Sequence, residues 1–144
     1  MGVLSLVLPV QALTGFNMNQ FNDSFERCIN DPLFLDQFYD IFLASSDEVS
    51  AMFKDTDMGT QKAMLMTSLV YMSHAHKDTP GLLSEIAEKH NKHNLDIKPH
   101  LYKLWLDSLI AAAKSIDPLF DVNTESLWRE TLQPGIDFMV SKYD

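Results

Sequence analysis

The chain has 144 residues, of which 46% are hydrophobic, and 20 Asp and Glu against 11 Lys and Arg give it a formal net charge of −9. This length suits one domain with a packed core, and the acidic excess argues against nucleic-acid binding, because neutralising phosphates requires Lys and Arg. The single cysteine, Cys28, excludes an intramolecular disulfide and a cysteine-rich zinc site, and five Gly and six Pro are too few for a β-sandwich, so we expect an all-α fold.

The N-terminal residues are apolar but do not have the pattern of a targeting segment. No Lys or Arg precedes the apolar run at 1–13, as it would in a secretory signal. The run is also shorter than the roughly 20 residues that a membrane-spanning helix needs. We therefore interpret residues 1–19 as an N-terminal extension that folds back or helps a homodimer form, and 20–144 as the domain. The protein is predicted to be cytoplasmic, a monomer or homodimer, and not bound to membranes.

Apolar residues recur at helical spacing through the first half of the domain. Residues 54–60 are polar and include Gly59, which is typical of a loop. Before this loop we predict a short helix capped by Ser46 or Asp47, whose side chains can accept a backbone N–H. The stripes in this half are Phe21, Phe25, Cys28 and Ile29, then Leu35, Phe38, Tyr39 and Phe42, then Val49, Met52 and Phe53.

The second half continues the helical pattern, and we expect about seven helices in all. Thr124 is predicted to cap the last helix, and Pro134 is expected to kink or split it, because proline removes a backbone donor and clashes with the preceding turn. Trp105, Trp128 and the eight methionines are expected to pack in the core. The stripes here are Leu65, Ser68, Leu69 and Met72; Leu83, Ile86, Ala87 and His90; Tyr102, Trp105, Leu106, Leu109, Ile110 and Ala113; and Trp128, Leu132, Ile136, Met139, Val140 and Tyr143.

His90 stands out because it is a lone histidine on an otherwise apolar helical face. Such a residue is either a hydrogen-bonded histidine at the edge of the core or a metal ligand facing a pocket. The helical pattern alone does not choose between these two interpretations.

The order and spacing of several short stretches resemble the globin family, and within it the bacterial single-domain globins and the haem domain of flavohaemoglobins. The resemblance runs from Phe21 to Tyr143. Gln61 and His90 are 29 positions apart, which matches the separation of the distal and proximal residues of a globin. The stretches that carry it are Phe38-Tyr39, Phe42 and Phe53; Gln61 and Leu65; Pro80, Leu83 and Ile86-Ala87-Glu88-Lys89-His90; and Ile97-Lys98-Pro99 with Tyr102.

The resemblance implies an all-α globin fold that holds one b-type haem. His90 would coordinate the iron through Nε2, with Nδ1–H donated to a carbonyl about one turn earlier or to a nearby side chain; His93 is the alternative ligand. Tyr102 would lie on the proximal side, either in a polar network or packed on the haem edge. The remaining site residues are Phe53, which would stack on the porphyrin, Leu65, which would form the apolar wall, and Tyr39 and Gln61, which would face the open coordination position.

The function implied is reversible binding of O₂, with CO and NO as further diatomic ligands. A first alternative is NO dioxygenation, which would need a separate reductase as partner, because the chain has no glycine-rich dinucleotide motif. A second is a haem-free globin-like sensor or interaction module. Flavohaemoglobins have a proximal glutamate near the end of the last helix, and the matching residue here is Tyr143, which argues against strong electron donation to the iron.

Overall fold

The computed structural model describes the backbone of residues 9–73 and 82–144, and the side chains of 19–73 and 84–144. The described chain is helical and contains no strand, which confirms the all-α prediction. The predicted domain boundary after residue 19 falls inside the first helix, and residues 1–8 lie outside the described part. The seven helices described are α1 (Pro9–Ile29), α2 (Phe34–Ser45), α3 (Asp47–Met52), α4 (Met58–Met72), α5 (Leu82–His90), α6 (Leu101–Ile116) and α7 (Val122–Ser141).

An aromatic cluster joins α1 to α7. The ring of Trp128 is fully buried and lies 5.5 Å from that of Phe21 and 5.7 Å from that of Phe25, measured between ring centroids. Tilted and edge-on rings at these distances are favourable beyond the area they bury. The stripe predicted for the first helix therefore packs on the stripe predicted for the last.

A buried carboxylate ties the same region to the end of α6. Asp117 is 2% exposed, and its Oδ1 accepts a hydrogen bond from Arg27 Nε at 2.6 Å while its Oδ2 accepts one from the Ser24 hydroxyl at 2.6 Å. Ser24 Oγ in turn accepts the indole N–H of Trp128 at 2.9 Å. Burial opposes ionisation of Asp117, but these hydrogen bonds and the Arg27 charge outweigh it and lower its pKa.

Helices α2 and α6 form the most extensive interface in the described chain. Phe34 and Phe38 on α2 are fully buried, and Phe42 is nearly so. Phe34 extends the predicted stripe of α2 by one position. Because α2 and α6 are held firmly, the residues they present to the interior have fixed positions.

One predicted helix cap is found in the structure, while a second cap and the end of a predicted loop differ. Ser46, one of the two predicted candidates, caps α3 by accepting the Val49 N–H. The expected loop at 54–60 is shorter, because Asp57 accepts the N–H groups of Gly59 and Thr60 and α4 therefore begins at Met58. Thr124 does not cap α7: the cap is Asp121, whose carboxylate accepts the Thr124 N–H and hydroxyl.

Helix α7 continues through Pro134 to Ser141, so of the predicted kink or split the split does not occur. The next residue, Gly135, lies close to the Met72 side chain of α4. A Cβ added at Gly135 would lie 3.0 Å from Cε of Met72 and 3.2 Å from its Cγ.

None of the helices in the described part of the chain combines the length and the apolar character that a membrane span requires.

Candidate functional site

A cavity of about 330 Å³ opens between α2, α4, α5 and α6. Ligand pockets for drug-sized molecules occupy roughly 300–1,000 Å³, so this space suits a sizeable organic group. Most of its lining is apolar. All the residues predicted from the sequence to form the site line it: Tyr39, Phe53, Gln61, Leu65, His90 and Tyr102.

His90, the last residue of α5, is held by its own helix. Its Nδ1 lies 2.7 Å from the carbonyl oxygen of Ile86, one turn earlier, which agrees with the bond that the sequence predicted. A carbonyl can only accept, so Nδ1 carries the proton and Nε2 keeps the lone pair that a metal requires. Burial lowers the pKa of His90 against the opposing effect of the Ile86 bond, and the charge of Lys89 lowers it further. The imidazole is therefore neutral at pH 7, the form that binds a metal.

Tyr39 and Gln61 form a hydrogen-bonded pair in the wall of the cavity. The Gln61 side-chain amide donates to the Tyr39 phenol oxygen at 3.2 Å. Tyr39 is 3% exposed, and burial raises its pKa to about 12, so it remains a neutral phenol. Because its oxygen accepts from Gln61, its hydrogen is left to donate to something else, and within the described chain it has no other hydrogen-bond partner. The pair therefore supplies an O–H donor to whatever enters the cavity.

Of the other predicted residues, Phe53 and Leu65 form part of the apolar wall of the cavity, and Tyr102 supplies one further polar group. The ring of Phe53 packs edge-on against those of Tyr39 and Phe42, with centroids 5.9 and 6.0 Å apart, and Leu65 is buried beside it. Tyr102 is 8% exposed, and burial raises its pKa to about 12. Aromatic and aliphatic side chains placed in this way would exclude water from a bound group.

The other two histidines in the described part of the chain, His93 and His100, do not line the cavity. His93, the alternative ligand, is exposed, does not line the cavity, and its backbone N–H bonds to the Asn91 side chain. His100 is exposed and pairs with Glu48 at 2.9 Å. The histidines at 74 and 76 lie outside the described residues.

The described residues contain no group of three or more His, Cys, Asp or Glu side chains that could hold a metal ion. A protein-bound metal usually needs three or four protein ligands. His90 offers one imidazole nitrogen to a metal, and the aromatic and apolar side chains that line the cavity beside it would fit a macrocycle such as a porphyrin.

Several lining residues were not assigned to the site from the sequence. Lys89 is the only charged residue in the described lining, and Trp105 was expected to be ordinary core. Trp105 could have been recognised, because it lies three residues after Tyr102 and so shares its helical face. The unassigned lining also includes Met52, Met64, Met72, Met139, Thr67, Ser68, Ile86, Ile97 and Leu101.

The last helix presents a methionine, and no carboxylate, to the cavity. Met139 lines it, whereas Tyr143 lies past the end of α7 and donates to the Asp96 carboxylate. In the described structure the Ile86 carbonyl is the partner of His90 Nδ1, and no acidic side chain lines the cavity. The carboxylate network that flavohaemoglobins place behind the proximal histidine has no counterpart among these residues.

The chain is similar over most of its length to a protein of known structure. A protein from Pseudomonas aeruginosa PAO1, whose crystal structure is described as structurally highly homologous to a human hemoglobin, shares 34% sequence identity with it. The alignment covers 88% of this chain and 98% of the Pseudomonas chain, with a TM-score of 0.84. No protein-family model and no curated protein matches the chain.

Proposed function

Since the chain belongs to the globin family, we propose that it binds one b-type haem in the cavity between α2, α4, α5 and α6 and holds O₂ there reversibly. The observation that carries this proposal is the set of groups facing one space: a neutral His90 with Nε2 unprotonated, and a buried Tyr39–Gln61 pair with a hydrogen to donate. When bound, the haem iron supplies the coordination position for O₂, CO or NO.

The cavity lining suits a flat, mostly apolar group with a charged edge. Phe53 and Leu65 supply apolar surface for a porphyrin, and Ile86, one turn before His90, adds to it. Lys89 is exposed where it borders the cavity, so its ammonium group is placed to pair with the porphyrin carboxylates from the solvent side. An exposed pair of this kind contributes at most about 1 kcal/mol, so retention of the haem rests on His90 and apolar burial.

Tyr39 and Gln61, which would face the open coordination position, would favour a ligand that carries negative charge. O₂ bound there would carry partial negative charge, and the Tyr39 hydroxyl, whose hydrogen has no partner in the described chain, would donate to it. Gln61 polarises that hydroxyl by donating to its oxygen, because successive hydrogen bonds strengthen each other. Leu65 and Phe53 keep bulk water from competing for these donors.

The proximal arrangement favours reversible binding over NO dioxygenation, the first alternative. The Nδ1–H of His90 donates to a neutral carbonyl, which makes the imidazole less basic than a carboxylate partner would. Dioxygenation also requires a separate reductase. The ligands we propose are therefore O₂, CO and NO, with O₂ the one retained by Tyr39.

A haem-free module, the second alternative, would have no use for these groups. Such a domain would fill its interior with apolar side chains, because empty space and unpaired polar groups both destabilise a core. Here a cavity of about 330 Å³ is kept open and bordered by Tyr39, Gln61 and His90.

Replacing the proposed iron ligand tests the proposal directly. Wild-type apoprotein titrated with hemin is expected to give a saturable Soret band that moves on reduction and again on addition of CO. His90→Gly should lose this binding, and added imidazole should restore it by entering the space left by the side chain. His93→Gly, the matched control, should bind hemin as the wild type does. A wild-type protein that takes up no hemin, or a His90→Gly variant with an unchanged Soret band, would contradict the proposal.

A further inference from the structure

The half of α4 that carries Gln61 lies outside the core. None of the residues 58–64 is buried, and Met58 only packs against the edge of the core. Burial of an apolar face is what fixes most helices in position. The buried residues of this helix all belong to its C-terminal half: Leu65, Leu69 and Met72. The position of Gln61 therefore depends on bonds other than core packing.

Two side-chain bridges join this half of α4 to α2. Lys62 Nζ lies 2.6 Å from Asp36 Oδ1, and the neighbouring Gln61 amide donates to the Tyr39 oxygen at 3.2 Å. Asp36 and Tyr39 are three residues apart on α2, so they lie on one face of that helix. The hydrogen bond borders the cavity, whereas the ion pair faces solvent, with 33% of the Lys62 side chain and 50% of that of Asp36 exposed.

We propose that the ion pair between Asp36 and Lys62 positions the Tyr39–Gln61 pair against the bound ligand; this inference rests on the proposed function. Neither Asp36 nor Lys62 lines the cavity, so neither would touch the ligand. The ion pair holds the start of α4 against α2 and so keeps the Gln61 amide within hydrogen-bonding distance of Tyr39. When the ion pair is broken, the Tyr39 hydroxyl loses the partner that polarises it, and the ligand leaves sooner.

Removing either charge should therefore speed ligand release. Lys62→Gln and Asp36→Asn are each expected to raise the O₂ dissociation rate about two- to fivefold, which corresponds to about 0.4–1 kcal/mol, the range of an exposed ion pair. The two changes together should do no more than either alone, and Lys62→Arg, which keeps the charge, should preserve the wild-type rate. In a Gln61→Leu background, Lys62→Gln should have no further effect, because it acts through Gln61.

The matched control breaks an ion pair that does not reach the cavity. Lys103 and Asp107 form an exposed pair at 2.8 Å within α6, and neither lines the cavity. Lys103→Gln should leave the O₂ dissociation rate unchanged.

Salt provides a test on the unmutated protein. Raising the salt from about 0.01 M to about 1 M shortens the screening length from about 30 Å to about 3 Å. The wild-type O₂ dissociation rate should then rise toward that of Lys62→Gln, whose own rate should not depend on salt. The infrared stretching frequency of bound CO should rise under the same conditions, which a loss of stability alone would not produce. In the CO form, hydrogen exchange of the backbone amides of 61–64 should be faster in Lys62→Gln than in the wild type, and that of 69–72 should be equal.

Several results would overturn the inference. These are a wild-type O₂ rate and CO stretch in Lys62→Gln, an equal acceleration in Lys62→Arg, and a wild-type O₂ rate that does not depend on salt. An effect of Lys62→Gln that persists in full in the Gln61→Leu background would count against it as well. Failure of the wild type to take up hemin would overturn the proposed function, and this inference with it.

Discussion

The hydrogen bond between Gln61 and Tyr39 couples these two side chains in the wall of the cavity. The Tyr39→Phe variant tests whether this pair holds the ligand that we propose. The variant keeps the ring in its contacts with Phe38 and Phe53 and removes only the hydroxyl. The hydroxyl hydrogen has no partner within the described chain, so its removal costs little in the empty protein. Nearly all of the effect should therefore appear when the ligand is bound.

The size of the effect follows from the strength of a hydrogen bond to a partly charged acceptor. Such a bond contributes about 1–3 kcal/mol, which corresponds to a rise of roughly 5- to 150-fold in the O₂ dissociation rate. Gln61→Leu should have a smaller effect, because the 3.2 Å bond to Tyr39 is longer than the usual N–H···O bond and acts mainly through Tyr39. In the double variant the two effects should fall short of additivity by about 0.5–1.5 kcal/mol, as expected for groups in one network.

Flash photolysis or stopped-flow replacement of O₂ by CO gives these rates. Tyr71→Phe is the matched control, because Tyr71 is a phenol that is 47% exposed on α4 and does not line the cavity. Its O₂ dissociation rate should equal that of the wild type. An unaltered rate in Tyr39→Phe, or fully additive effects of the Tyr39 and Gln61 variants, would show that this pair does not hold the ligand.

Two further changes test the framework around the cavity. Gly135→Ala gains about 1 kcal/mol of helix propensity but displaces Met72 at the cavity wall. The free energy of unfolding of the apoprotein in urea should therefore change by less than about 1 kcal/mol, while hemin affinity falls. Gly59→Ala is the control, because its Cβ would meet only Asp57 Oδ1 at 3.4 Å, and it should leave hemin affinity unchanged. Asp117→Asn should lower the free energy of unfolding at pH 7 by about 2–3 kcal/mol, because the charge of Arg27 loses its partner. The native pKa of Asp117 is lowered, so its contribution is complete above the unfolded-state pKa of about 4 and is lost as the pH falls through the native value. Urea curves of variant and wild type should therefore converge at acid pH, and a gap that is constant with pH would contradict this assignment.

Most of the helices could be predicted from the sequence, because their apolar residues recur at helical spacing. The stripes of α2 and α6 and the cap at Ser46 are found where the spacing placed them. The start of α4 and the cap of α7 were misplaced because an aspartate stands three residues before Thr60, where the loop was expected to end, and three residues before Thr124, and local sequence does not show which side chain will accept the first N–H groups. The continuity of α7 depends on its packing against neighbouring helices, which a local rule for proline does not include.

The cavity was predictable in its chemistry but not in its full lining. His90 is a polar residue on an apolar helical face, and that contrast marked it in the sequence, whereas Tyr39 and Gln61 were assigned to the site through the resemblance to globins. Trp105 carried no such mark, because a tryptophan on an apolar face is normally core, and only its spacing of three residues from Tyr102 connects it with the cavity. The loss of a carboxylate behind His90 was anticipated from Tyr143, whose partner Asp96 only the structure could show.

The His90 side of the cavity and the Tyr39–Gln61 side would have different roles. Hemin affinity and the rate of ligand release should therefore change independently. On α5, a backbone carbonyl fixes the tautomer of His90, so the metal-binding form of the imidazole that we propose depends on a bond that no side-chain substitution elsewhere can remove. On α2 and α4, the proposed donors are side chains alone, and each can be exchanged without disturbing the backbone. Variants of Tyr39 and Gln61 should therefore alter the rate of ligand release over orders of magnitude while leaving hemin affinity nearly constant. Variants of His90 should instead change hemin affinity much more than the rate of ligand release.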